Sequence, residues 1–203
     1  MKSVTERVYL TDFILACLAY CLFVGSDSIV KYLGSDYSIV QIIFVNSWFA
    51  LIPIVLYTQT LNGWRKLKKA NFTVHFFRAL TMALALFFGY TGFYRLPMVT
   101  MYSIVFLIPL MITIGSVFFL GEVVRWKRFT AILIGFIGAI ISINPFGTEY
   151  DNYIFLALFC PIFASASYLI VRKYGVKENL FSFLIYGKIL MLVFTGVFAL
   201  FIF

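Results

Sequence analysis

Long apolar runs alternate with short polar links along the whole chain. Seven runs stand out, at residues 8–30, 38–58, 73–93, 97–120, 129–143, 153–171 and 181–203. Crossing a hydrocarbon core of ~30 Å takes ~20 apolar residues of helix. The run at 129–143 is short and reaches that length when Trp126 and Pro145 are placed in the two interfaces. Aromatic residues are common at that level. The pattern predicts an all-α, polytopic membrane helical bundle of seven spans.

Charge then orients the bundle. With the N-terminus in the cytoplasm, the inside segments hold twelve basic residues: Lys2, Arg7, Arg65, Lys66, Lys68, Lys69, Arg125, Lys127, Arg128, Arg172, Lys173 and Lys177. The outside segments hold two, Lys31 and Arg95, while Arg78 and Lys188 fall within spans. Basic residues near span ends stay on the cytoplasmic side. The net charge of +8 therefore reflects topology. It forms no single basic face, so nucleic acid is not expected as a partner.

Composition narrows the class further. Hydrophobic residues make up 63% of the chain and charged residues 12%, which no soluble core would absorb. The first run exceeds a signal-peptide h-region and no A-x-A site follows it, so it is expected to persist as a span. Cys17, Cys21 and Cys160 all lie in spans and are expected to be buried small hydrophobes. No set of metal ligands accompanies them, and no metal or cofactor is expected.

An internal repeat is visible at an offset of 141. Leu15, Ala16, Ser26, Ile29 and Val30 match Leu156, Ala157, Ser167, Ile170 and Val171, with Lys31 against Arg172 and Gly34 against Gly175. Five spans separate the copies, so the second starts from the opposite face of the membrane. Inverted repeats of this kind build many transporters, with the substrate near mid-membrane. The expected plan is ten helices in two inverted five-helix repeats, the first at 1–147 and an incomplete second, of two helices, at 148–203. The chain is expected to be a C-terminally truncated version of that plan.

From residue 77 onward a specific series of motifs appears. Arg78 and Ala79 open the third span, followed by Gly92, Phe93, Tyr94, Arg95, Leu96 and Pro97. Leu107, Ile108 and Pro109 lie in mid-span, and Phe119, Leu120, Gly121 and Glu122 close the fourth span. Arg128 then leads to Gly135, Phe136, Ile137 and Gly138, and to Asn144 and Pro145. In order and spacing this resembles the drug/metabolite transporter superfamily, in its EamA-like bacterial branch, over residues 73–145. The usual residue at position 92 is alanine. Residues 26–34 resemble the S-adenosylmethionine uptake type. The resemblance implies a ten-helix carrier with a central cavity and alternating access in the bacterial inner membrane, in a branch that includes carriers for S-adenosylmethionine and amino acids.

Several residues are candidates for lining that cavity. Lys188 lies ~10 Å into the seventh span, where an ammonium is costly without a partner or a wet cavity; snorkelling to the cytoplasm is the alternative. Asp27 stands near the outer end of span one, with Tyr20 and Lys31 on its helical face, and pairing with Lys31 is the structural alternative. Arg78 heads a narrow face of small residues in span three, near His75, which is expected at the interface. Tyr90, Tyr102, Pro109, Thr113, Ser165 and Tyr168 supply aromatic and hydroxyl groups, and Pro109 and Pro161 should kink their helices. Glu122 is expected to pair with Arg125, three residues on. Ala131, Gly135, Gly138 and Ala139 form a stripe expected to serve helix packing.

The function these features favour is secondary transport of a small organic metabolite. Its partners would be a small-molecule substrate and the lipid bilayer, with a homodimer as the further partner reading. The alternatives are a non-transporting seven-helix protein, either receptor or intramembrane enzyme, or a non-functional fragment. An enzyme would need a nucleophile with its base, paired carboxylates or a metal, and the spans do not supply them. A receptor would place its N-terminus outside, against the charge count.

Overall fold

The computed structural model describes residues 2–60, 71–123, 125–143, 152–175, 178 and 180–202. Among these residues every regular element is a helix: α1 (Lys2–Leu33), α2 (Ile39–Thr60), α3 (Phe72–Arg95), α4 (Met98–Val105), α5 (Leu107–Leu120), α6 (Trp126–Ile143), α7 (Tyr153–Ala157), α8 (Phe159–Tyr174) and α9 (Leu180–Ile202). Six stretches are long and apolar enough to cross a membrane: Thr11–Leu33, Ile39–Thr60, Phe72–Arg95, Met98–Leu120, Tyr153–Tyr174 and Phe181–Ala199. Phe129–Gly138 is a shorter apolar stretch inside α6. The chain is thus an all-α, multi-pass membrane protein, and the run that is short in sequence lies within the 18-residue helix α6. Pro145 lies outside the described residues.

Two of the spans are broken, and for one reason. Pro109 has no N–H to offer Val105, and Pro161 has none for Ala157. The helices part at Phe106 (φ −64°, ψ −11°) and Leu158 (φ −63°, ψ −20°). Each break sits three residues before its proline. At the other end of α5, Gly121 adopts φ +68° and its N–H bonds back to Val117 O at 3.2 Å. That left-handed cap is open to glycine without a Cβ penalty.

Helix α3 is the hub, packing against α1, α2, α7, α8 and α9, while α8 also packs on α5 and α9 on α2. Apolar burial does not drive helices together in lipid, so close approach of small residues must do so. A Cβ at Gly89 would sit 3.1 Å from Cys160 Sγ, and one at Gly92 would sit 3.2 Å from Ala157 Cβ. Ala79 and Ala85 are buried on the same helix. The narrow face read from the sequence of span three is therefore the seam that receives α7 and α8.

The stripe on α6 behaves otherwise. A Cβ added at Gly135 or Gly138 would meet nothing within 4 Å, and Ala131 is exposed. Here α6 turns its bulkier side, with Phe129, Ile132, Leu133 and Phe136, toward a groove shared with α5. The expected packing role for the stripe is not met among the described residues. Cys17 and Cys21 also depart from expectation. They are exposed because little of α1 is covered by other helices, whereas Cys160 is buried.

Candidate functional site

Polar side chains gather at two levels along α3. Arg78 marks one and Tyr90 the other. Their separation of twelve positions corresponds to ~18 Å of helix.

At the outer level, Tyr102 on α4 donates its hydroxyl to Asp27 Oδ2 at 3.0 Å. The Tyr102 ring meets Phe93 edge-on, with centroids 5.2 Å apart. Tyr90 is buried beside Ser26 and Asp27. Asp27, Tyr90 and Tyr102 are thus brought together as one cluster. Asp27 does not pair with Lys31, as the shared helical face had suggested. Lys31 instead donates to Leu96 O at 2.7 Å and to Phe93 O at 3.4 Å. Those carbonyls lie at the end of α3, where a helix leaves acceptors unpaired and its dipole favours a cation. Nor does Asp27 meet Lys188, which belongs to the other level.

At the inner level, Arg78 of α3 and Lys188 of α9 line one cavity of about 90 Å³ between α2, α3 and α9. Arg78 has a fixed partner on α9. Its Nη1 donates to Phe183 O at 2.6 Å, and its guanidinium lies 5.3 Å from the Phe183 ring centroid. Gly187 makes this possible, since a Cβ there would lie 2.6 Å from Arg78 Nη1. Ser167 of α8 adds a 3.4 Å hydrogen bond from its hydroxyl to Arg78 O.

In the first turn of α3 His75 is 1% exposed, packed inside the protein at the span end where its place in the sequence puts it. Its Nε2 lies 3.3 Å from Glu178 Oε2, and its ring sits between Phe183 and Tyr186, at 4.8 and 5.3 Å. Glu178 also accepts from the Asn71 backbone N–H at 3.1 Å. The carboxylate thereby ties the link before α9 to the start of α3. Glu178 carried no signal in the sequence, because its partners lie over a hundred residues away.

Most of the remaining candidates fall outside both clusters. Tyr20 and Tyr168 are exposed, Tyr168 within electrostatic reach of Arg78. Pro109 is exposed, and Thr113 spends its hydroxyl on Pro109 O at 2.8 Å. Ser165 is buried but bonds its own helix at Ile162 O. Glu122 pairs with Arg172 on α8 at 2.9 Å, not with Arg125. The Gly121 turn ends the helix before Glu122, so three-residue spacing no longer places Glu122 and Arg125 on one helical face.

Comparison with known proteins gives the chain relatives. An S-adenosylmethionine uptake transporter of Rickettsia conorii is 30% identical over 190 residues, covering 90% of this chain and 62% of that protein. One from Rickettsia bellii is 31% identical over 172 residues, covering 81% of this chain and 56% of the relative. A riboflavin transporter of Vibrio cholerae is 24% identical over 177 residues, covering 86% and 59%. The chain therefore spans about three-fifths of the length of these relatives, all of which are named as transporters. No solved structure matches. The sequence profile of the EamA-like transporter family matches residues 11–144, about two-thirds of the chain, and the protein belongs to that family.

Proposed function

We propose that this chain belongs to a secondary carrier for a small organic metabolite in the bacterial inner membrane, with S-adenosylmethionine as the leading substrate. The observation that carries the reading is the pair of polar clusters packed around α3, one with Asp27 of α1 and the other with Arg78 of α3 and Lys188 of α9, inside a bundle otherwise made of apolar helices. Charged groups within spans are costly and serve pathways or sites. Asp27 at the outer level and Arg78 with Lys188 at the inner level suit a solute that carries both signs of charge, as an amino-acid derivative does. The relatedness to S-adenosylmethionine carriers over nine-tenths of the chain supports that chemistry.

In this reading the N-terminus is cytoplasmic, residues 1–147 form one five-helix repeat, and residues 148–203 begin its inverted counterpart. Alternating access would use the breaks at Phe106 and Leu158, since broken helices are where such folds bend around a substrate. Purified full chain provides the test. Saturable elevation of its melting temperature by S-adenosylmethionine, exceeding that from riboflavin or L-leucine, is expected from mass action on the folded state. An unchanged melting temperature at millimolar S-adenosylmethionine would remove that substrate.

A further inference from the structure

Among the described residues the inner cavity holds two cations and no counter-charge. Around Arg78 and Lys188 the lining is apolar, with Ile54, Met82, Leu86 and Met191 among it. Among the described residues the ion pairs are His75 with Glu178 and Glu122 with Arg172, and neither involves these two cations. Lys188 is half-buried and within the electrostatic reach of Arg78.

The two basic groups are also left with donors to spare. A guanidinium carries five N–H donors in a fixed fork and an ammonium carries three. Arg78 gives one bond to Phe183 O, while its Nε is buried without a partner. A lone buried donor costs its desolvation, and a buried charge without a counter-ion costs more. Two like charges facing one cavity add repulsion, stronger in a low-dielectric interior than in water. The arginine head is held against α9 by its bond to Phe183 O.

We infer that Arg78 and Lys188 form an anion site between α3 and α9 that takes the carboxylate of the transported solute. Size supports a small anionic group. About 90 Å³ is well below the ~300–1,000 Å³ of sites that take drug-sized ligands, which suits a small group such as a carboxylate and not the whole of such a solute. Shape supports a carboxylate over a spherical halide, because a guanidinium fork matches two coplanar oxygens. Gly187 is a positioning residue in this scheme. Its missing Cβ leaves room for Arg78 Nη1 to reach Phe183 O, which fixes the plane of the guanidinium. The assignment rests on the carrier reading for the identity of the solute, and on the cavity alone for the identity of the bound group.

The test separates those two. Purified full chain is melted while sodium acetate replaces sodium chloride at constant ionic strength. A saturable rise with acetate is expected in the parent chain and in Lys188→Arg. Lys188→Met should lose that response, with acetate affinity down about tenfold or more, the scale of one charged hydrogen bond. Lys188→Met should also melt higher than the parent in chloride, because it removes a half-buried charge that faces Arg78. A lysine serving only packing would give a lower value there. Arg78→Lys, which keeps the charge and loses the fork, should weaken acetate without abolishing it. An equal acetate response in the parent chain and Lys188→Met would overturn the site, as would a chloride response matching that of acetate. Failure of S-adenosylmethionine to bind, with the acetate response intact, would refute the proposed substrate and leave the anion site standing.

Discussion

Substituting Gly187 by alanine isolates the contact that holds Arg78 in place. The added methyl would lie 2.6 Å from Arg78 Nη1, too close for both to stay. A guanidinium tip moves easily, so the collision itself is inexpensive. The cost is the 2.6 Å bond to Phe183 O, which Nη1 must leave. Hydrogen bonds between membrane helices average ~0.6 kcal/mol and reach ~1.7, and a charged donor belongs toward the upper end. A loss of about 1–2 kcal/mol follows. Opposing it, alanine is favoured over glycine within a helix by roughly 0.5–1 kcal/mol. The single substitution should therefore destabilise by only ~0–1.5 kcal/mol, too little to interpret alone.

A double-mutant cycle with Arg78→Met removes the helix-propensity part, because that gain appears in both backgrounds. Reversible unfolding in mixed detergent would measure it. Gly187→Ala should be neutral or destabilising in the parent chain and stabilising by roughly 0.5–1 kcal/mol when methionine occupies position 78. The resulting coupling should be about 1–2 kcal/mol. Equal stabilisation in both backgrounds would show that Gly187 does not hold Arg78, and the fixed guanidinium plane would be lost from the argument.

Two other outcomes are expected. Tyr102→Phe removes the 3.0 Å hydrogen bond to Asp27 while keeping the ring against Phe93, and should cost about 1 kcal/mol. The same substitution should cost almost nothing once Asp27 is alanine, and an undiminished cost there would mean that the hydroxyl serves some other acceptor. Single cysteines at Thr5 and Asp151 should label from opposite faces in whole cells, with an impermeant maleimide reaching Asp151→Cys but not Thr5→Cys. The reverse labelling would invert the orientation read from the basic residues.

Element lengths were legible because hydrocarbon thickness sets them. Thr11–Leu33, Ile39–Thr60 and Phe72–Arg95 lie within a few residues of the apolar runs, since a helix in lipid must continue until water can satisfy its ends. The breaks at Phe106 and Leu158 were legible in kind through Pro109 and Pro161, because the missing proline donor acts within its own helix. Asp27, Tyr90 and Tyr102 were each legible as candidates, being polar groups in apolar surroundings.

Pairings were less legible, and for a physical reason. Sequence spacing states which residues share a helical face, but not which face meets which neighbour. Lys31 lies one turn after Asp27 and was a natural partner for it, yet the carbonyls ending α3 offered acceptors whose own helix could not use them. Glu122 lies three residues before Arg125, but the turn at Gly121 ends the helix before either of them and Arg172 takes the carboxylate. The α6 stripe shows the same limit, since small residues permit close approach and do not supply a neighbour. Gly187 was the signal available in the sequence and left unread. A glycine one residue before a mid-span lysine weakens a helix unless something needs the space, and here the space is filled by the guanidinium of Arg78. Buried cations on separate helices can therefore be sought through the glycines that make room for them.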